Sequence, residues 1–146
     1  MLKLSKKVEY ALMSLQFMAN KSKTPHNDEF QVTARQLSRS LKIPFDSVSK
    51  TLQILASKEI VIPVHGAQGG YKLNKDLSQI SFNYIIEIID GPLALVSCFY
   101  CEREYPCPIE DSCPILDPIK QLTLFLDKQL QKISLETLLL GGKFPL

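Results

Sequence analysis

No stretch of eighteen consecutive apolar residues occurs in this 146-residue chain, so no membrane-spanning helix is expected. The opening Met1-Leu2-Lys3-Leu4-Ser5-Lys6-Lys7 carries charge with no apolar signal region behind it. Together these imply a soluble, unprocessed, cytoplasmic protein. Histidine is limited to His26 and His65, both in loop-like stretches with no paired nucleophile. No catalytic constellation is present, and an enzyme is not expected. Cysteine is missing everywhere except between residues 98 and 113. A secreted disulfide framework is excluded on context, because nothing marks the chain for an oxidising compartment.

What is present is concentrated. All four thiols, Cys98, Cys101, Cys107 and Cys113, fall within sixteen residues. Pro106, Pro108 and Pro114 keep that stretch from forming regular helix or strand. In a reducing cytosol, clustered thiols in such a loop favour a metal. The hydrophobic content of 45% is enough for one ordinary domain, or a small domain with an appendage. Charge is divided. Residues 1–75 carry twelve Lys/Arg against five Asp/Glu, net +7, and residues 76–146 carry five against ten, net −5. The basic half points to a polyanionic partner for that half alone, although a solvated surface has the same composition.

Taken in order, residues 5–20 place Val8, Ala11, Leu12, Leu15 and Ala19 at helical spacing, with Glu9 bordering the apolar stripe. Residues 21–31 form a polar loop. Thr33 and Gln36 make a capping box for a short second helix, with Ala34, Leu37 and Leu41 inward and Arg35, Ser38 and Arg39 outward. Lys42-Ile43 turns the chain, and Pro44 is expected at the first position of a third helix reaching about Lys58. Val48, Leu52 and Leu55 face inward from it, while Asp46, Ser47, Ser49, Lys50 and Gln53 face out. This is the helix-turn-helix arrangement.

Residues 60–64, a glycine-rich turn and Tyr71-Lys72-Leu73 then make a hairpin, with Pro63 on a sheet edge. A hairpin after a helix-turn-helix is a wing. A phosphate-cradling loop is excluded, because no helix opening on a Lys-Ser/Thr pair follows.

The fold class expected is mainly α with a small β wing: a winged helix-turn-helix plus a long C-terminal dimerisation helix. Residues 1–75 are the winged helix-turn-helix domain, and 76–97 a linking helix and connector. Ser81 caps that linking helix and Asp90-Gly91-Pro92 ends it. Residues 98–114 are the cysteine loop. Residues 115–140 read as one helix of about 25 residues, close to 37 Å long. Its apolar surface, from Ile115 through Leu122, Leu126 and Leu130 to Leu138, implies a homodimer through paired helices. A helix folded back on its own domain is the alternative.

Val8-Glu9-Tyr10-Ala11-Leu12, Val32 to Leu37, Ile43-Pro44, His65 to Leu73 and Asp90-Gly91-Pro92, in this order, carry a resemblance over nearly the whole chain. The sequence resembles the Rrf-two family of dimeric winged-helix regulators, which includes iron–sulfur sensors of the IscR and NsrR kinds. The resemblance implies a dimer on a near-palindromic operator in double-stranded DNA, with the recognition helix in the major groove and the wing at the minor groove. Asp46, Ser49 and Lys50 fall where members contact bases, and Gln68 lies in the wing. His65 stands where the family commonly has a minor-groove arginine, and histidine is shorter and mostly neutral at pH 7. Lys3, Arg35, Arg39, Lys50 and Lys72 can each neutralise a phosphate, so binding is expected to weaken steeply with salt.

The resemblance also implies three cysteine ligands to an iron–sulfur cluster, 2Fe-2S or 4Fe-4S. Counted forward from Gly91-Pro92, Cys98 is the first; counted back, Cys101–Cys107–Cys113 fits. Cys107 and Cys113 are ligands in either case. Leu116 replaces the histidine of one branch of the family. Glu9 matches the carboxylate that NsrR-like members supply from helix one of the partner subunit. Two sets therefore compete, four thiolates or three plus Glu9 of the other chain. An oxygen ligand leaves one iron labile, which suits a sensor of nitric oxide, iron supply or redox stress. Zinc is the alternative metal, disfavoured by gaps of two, five and five that differ from paired zinc knuckles. A metal-free thiol switch comes third. A simple electron carrier leaves the winged helix and the basic half unexplained.

Overall fold

The computed structural model describes residues 3–22, 30–67, 69–96, 98 and 107–144. Helix α1 (Lys6–Ser22) buries Val8, Ala11, Leu15, Met18 and Ala19, the stripe its periodicity predicts. Helix α2 (Ala34–Leu41) opens on the expected box: the Gln36 N–H donates to Thr33 Oγ1 at 3.1 Å, and the Thr33 N–H donates to Gln36 Oε1 at 2.8 Å. Replacing Thr33 with alanine is expected to cost about 1 kcal/mol, seen as a lower urea midpoint at unchanged slope. Lys42 ends α2 at φ 55°, in the left-handed region, and its N–H returns to the Ser38 carbonyl. Ser38 Oγ donates to the Ile43 carbonyl at 2.7 Å, tying the turn across itself.

Helix α3 (Phe45–Ser57) buries Val48, Thr51, Leu52 and Leu55. Pro44 precedes the helix as its cap instead of occupying its first turn. Its carbonyl accepts from the N–H groups of Ser47 and Val48, and it has no side-chain bond to give. Strands β1 (Val61–Val64) and β2 (Gly70–Leu73) pair antiparallel with Pro63 opposite Tyr71. On its other side β2 bonds Val32, through Val32 N–H to Tyr71 O at 2.9 Å and the reverse at 2.8 Å. That leaves β1 outermost, so Pro63 does sit on the edge. A Cβ on Gly69 would collide with the Val64 carbonyl, and one on Gly70 would lie 2.7 Å from the Val32 carbonyl. The tight return of the wing depends on that missing atom.

A short 3-10 turn (Leu77–Gln79) leads to α4 (Phe82–Asp90), capped by Ser81 as expected. Helix α4 packs on α1 and α3, and its Ile85 is fully buried in the core they share. A 3-10 turn (Glu110–Ser112) precedes α5 (Leu116–Gln131), and α6 (Leu135–Leu140) follows. The single helix expected over 115–140 is therefore two. Ser134 is extended at φ −75°, ψ 155°, and its Oγ accepts the Thr137 N–H at 3.1 Å as the cap of α6. The Ile133 carbonyl accepts from Phe82 N–H at 2.7 Å and Leu135 N–H donates to the Ile80 carbonyl at 2.8 Å. Those groups are engaged by the chain before α4, so they cannot continue a helix. Leu135 is 0% exposed, and Gln16 Nε2 donates to the Leu139 carbonyl. For α6 the alternative holds: it folds back on its own domain.

Candidate nucleic-acid interface and cysteine centre

Spacing fixes the outward stripe of α3. Asp46, Ser49, Lys50 and Gln53 stand at i, i+3, i+4 and i+7, opposite the buried Val48, Leu52 and Leu55. Asp46, Lys50 and Gln53 are exposed and Ser49 is half-buried. Arg35 and Arg39, one turn apart on α2, are both exposed, as is Lys3 before α1. On the wing His65 is exposed and Lys72 half-buried, opposite Ile62. Gln68 lies outside the described residues.

The fold also gathers residues that sequence reasoning did not place in the interface. The N-terminal turn of α1 runs beside α3, and between them lies a groove of about 710 Å³. Lys6, Lys7 and Tyr10 line one side, and Ser47, Lys50 and Gln53 line the other. The groove sets three cations at the flank of the outward stripe, where a phosphate backbone would run. The run of lysines opening the chain was the available signal. Phe45 was also missed. It is 47% exposed at the start of α3, with the Arg35 guanidinium carbon 5.9 Å from its ring centroid.

Glu9 sits half-buried at the edge of the stripe of α1, and Lys6 Nζ donates to its Oε2 at 2.6 Å. The Glu9 carboxylate, through this hydrogen bond first and its charge second, raises the Lys6 pKa above its ordinary value of 10.5. This exposed pair contributes little net stability, so Glu9 can be released from it at small cost.

Cys98, Cys107 and Cys113 are half-buried in the connection between α4 and α5, and none of them is in a disulfide. Cys101 lies outside the described residues. Among the described residues, no three His, Cys, Asp or Glu side chains come close enough together to hold a metal ion. The chemistry of the donors does fit a cluster: thiolates are its main ligands, and half-buried thiols are reachable by iron. Helices α4 and α5 are tied to each other at the ends remote from the loop. Asn83 on α4, 5% exposed, donates its Nδ2 to Asp127 Oδ1 on α5 at 2.8 Å. Gln131 Nε2 holds the other carboxylate oxygen at 2.6 Å.

Two short helices joined by a tight turn, a third on which they pack and a hairpin following them define the class: a winged-helix DNA-binding protein. The family model described as Rrf2, iron-dependent transcriptional regulator, matches residues 4–140, and the chain belongs to the Rrf2 family. Its members are DNA-binding transcription regulators, typically dimeric, and not enzymes. The HTH-type transcriptional regulator NsrR of Oceanobacillus iheyensis is 26% identical over 136 residues, 93% of this chain and 88% of that protein. Among solved structures, CymR, the global cysteine regulator of B. subtilis, superposes over 98% of this chain and 100% of its own. Its TM-score is 0.70 at 21% identity. T. potens IscR does so over 97% and 89%, with a TM-score of 0.66 at 20% identity. These two structures bear on the fold alone. Both the family resemblance and the winged-helix expectation are borne out. Among the described residues no helix is long and apolar enough to cross a membrane.

Proposed function

We propose that this regulator binds a near-palindromic operator as a homodimer and that an iron–sulfur cluster in its cysteine loop sets operator affinity. The observation that carries the reading is the confinement of every thiol to the α4–α5 connection of a chain in an iron-dependent regulator family. Cys107 and Cys113 are the common ligands, Cys98 and Cys101 compete for the next place, and Glu9 of the partner is the carboxylate alternative to a fourth thiolate. The cluster supplies a ligand set open to nitric oxide, oxidants or iron loss.

The rest is done by the chain. The loop leaves the end of α4 and enters the start of α5, and Asn83, Asp127 and Gln131 clamp the two helices at their other ends. Any change in the spacing of its thiols shifts the loop-side ends of α4 and α5 about that fixed end, and α4 passes the shift to α1 and α3. If Glu9 is a ligand, the partner's loop also bears on α1 directly. The two recognition helices then change separation on the operator. A hundredfold change in affinity needs only about 2.7 kcal/mol of difference between the two states.

The test is anaerobic purification followed by iron, sulfide and zinc analysis with visible and EPR spectra. Iron and acid-labile sulfide in equal amounts are expected. One zinc per chain without sulfide would replace the reading with a structural zinc site. A metal-free chain whose operator affinity follows thiol oxidation would make it a thiol switch.

A further inference from the structure

Phe45 has no task in the core, yet it is the first residue of α3 and leaves 47% of its surface in water. Single exposed apolar residues are ordinary, so exposure alone says little. Its surroundings say more. Pro44, at φ −54° and without a side-chain cap, fixes the entry to the helix from which the ring projects. The Arg35 guanidinium lies over the ring with its carbon 5.9 Å from the centroid, within cation–π range. Among the described residues no carboxylate pairs with Arg35. The pair thus holds a flat apolar surface and a free planar cation together at the N-terminal end of the recognition helix. In helix-turn-helix docking, that end meets the base edges. The major groove offers one apolar mark there, the C5-methyl of thymine, and an aromatic side chain is a suitable partner for it.

We propose that Phe45 is a specificity-determining residue that recognises the C5-methyl group of one thymine in each operator half-site, with Arg35 stacked on its ring and directed to the neighbouring phosphate. This deepens the DNA-binding reading and rests on it. Arg35 orients the ring and supplies charge without sequence preference. Phe45 supplies preference without charge.

The probe is a duplex selected by the wild-type protein from a randomised library, then resynthesised with deoxyuridine replacing each thymidine in turn, which removes only the methyl. At one position per half-site wild type is expected to lose about fourfold in affinity, and about fifteenfold when both half-sites are changed. Phe45→Ala is expected to bind the thymidine and deoxyuridine duplexes equally, with its salt dependence unchanged. Phe45→Leu, which keeps an apolar side chain there, should retain part of the discrimination. A wild type indifferent to every deoxyuridine replacement overturns the proposal. So does a Phe45→Ala protein that binds more weakly yet keeps the wild-type ratio between the two duplexes, because the ring then serves only to support Arg35. Selection that enriches no duplex removes the DNA-binding reading itself, a different failure from either of these.

Discussion

Glutamate at both Leu122 and Phe125 is expected to leave the protein folded but monomeric, and to weaken operator binding by about a hundredfold to ten-thousandfold. The two residues lie three apart on one flank of α5, at 45% and 56% exposure, and Ile115 just before the helix extends the same flank. The adjoining face is already occupied. Thr123 is buried, and Ile119, Leu126 and Leu130 are half-buried at the spacing that faces α4. An apolar flank of this kind calls for a covering surface, and in the proposed homodimer a second α5 would supply it. Two buried carboxylates per chain would have no partner there. Binding at two half-sites would then become two independent events, which is the origin of the large loss. Sedimentation velocity reports the mass, and titration of full and half operators reports the affinity. A variant that still sediments as a dimer would place the subunit contact elsewhere.

Cys107→Ser and Cys113→Ser are each expected to abolish iron binding while preserving the far-ultraviolet helix signal, since neither thiol belongs to the buried core. Replacing a thiolate with a hydroxyl removes a soft ligand that iron–sulfur clusters require. Single changes at Cys98 and Cys101 then separate the two ligand sets. If four thiolates ligate, both changes strip the cluster. If three do, one is silent, and Glu9→Ala alters the spectrum or speeds loss of iron in air. Visible absorption and iron content read all of these on the same preparations. Undiminished iron in Cys107→Ser would remove the loop as the site.

The elements legible in the sequence were those set by local chemistry. Thr33 with Gln36 and Ser81 each mark a helix end by bonds that neighbouring residues decide. The core stripes of α1 and α3 were equally plain, because burial follows helical spacing. The break at Ser134 was not read, although Ser134 and Thr137 form a local cap. Apolar residues at 130, 133 and 138 continue the helical period across it, and the deciding bonds go to Ile80 and Phe82, some fifty residues earlier. Periodicity is silent about such partners. The candidate site was half legible for the same reason. Asp46, Ser49 and Lys50 follow from one helix, whereas the groove of Lys6, Lys7 and Lys50 and the Arg35–Phe45 stack each need two elements to meet. Gln68 and Cys101 lie outside the described residues.

In the proposed function, cluster state sets operator affinity. Its most direct test is one anaerobic preparation titrated against the selected duplex before and after the iron is removed by chelation, at fixed salt. The midpoints are expected to differ by about a hundredfold, with the difference restored on reconstitution with iron and sulfide. Midpoints that agree within about twofold would contradict it, leaving a DNA-binding protein whose thiol loop has no hold on its recognition helices.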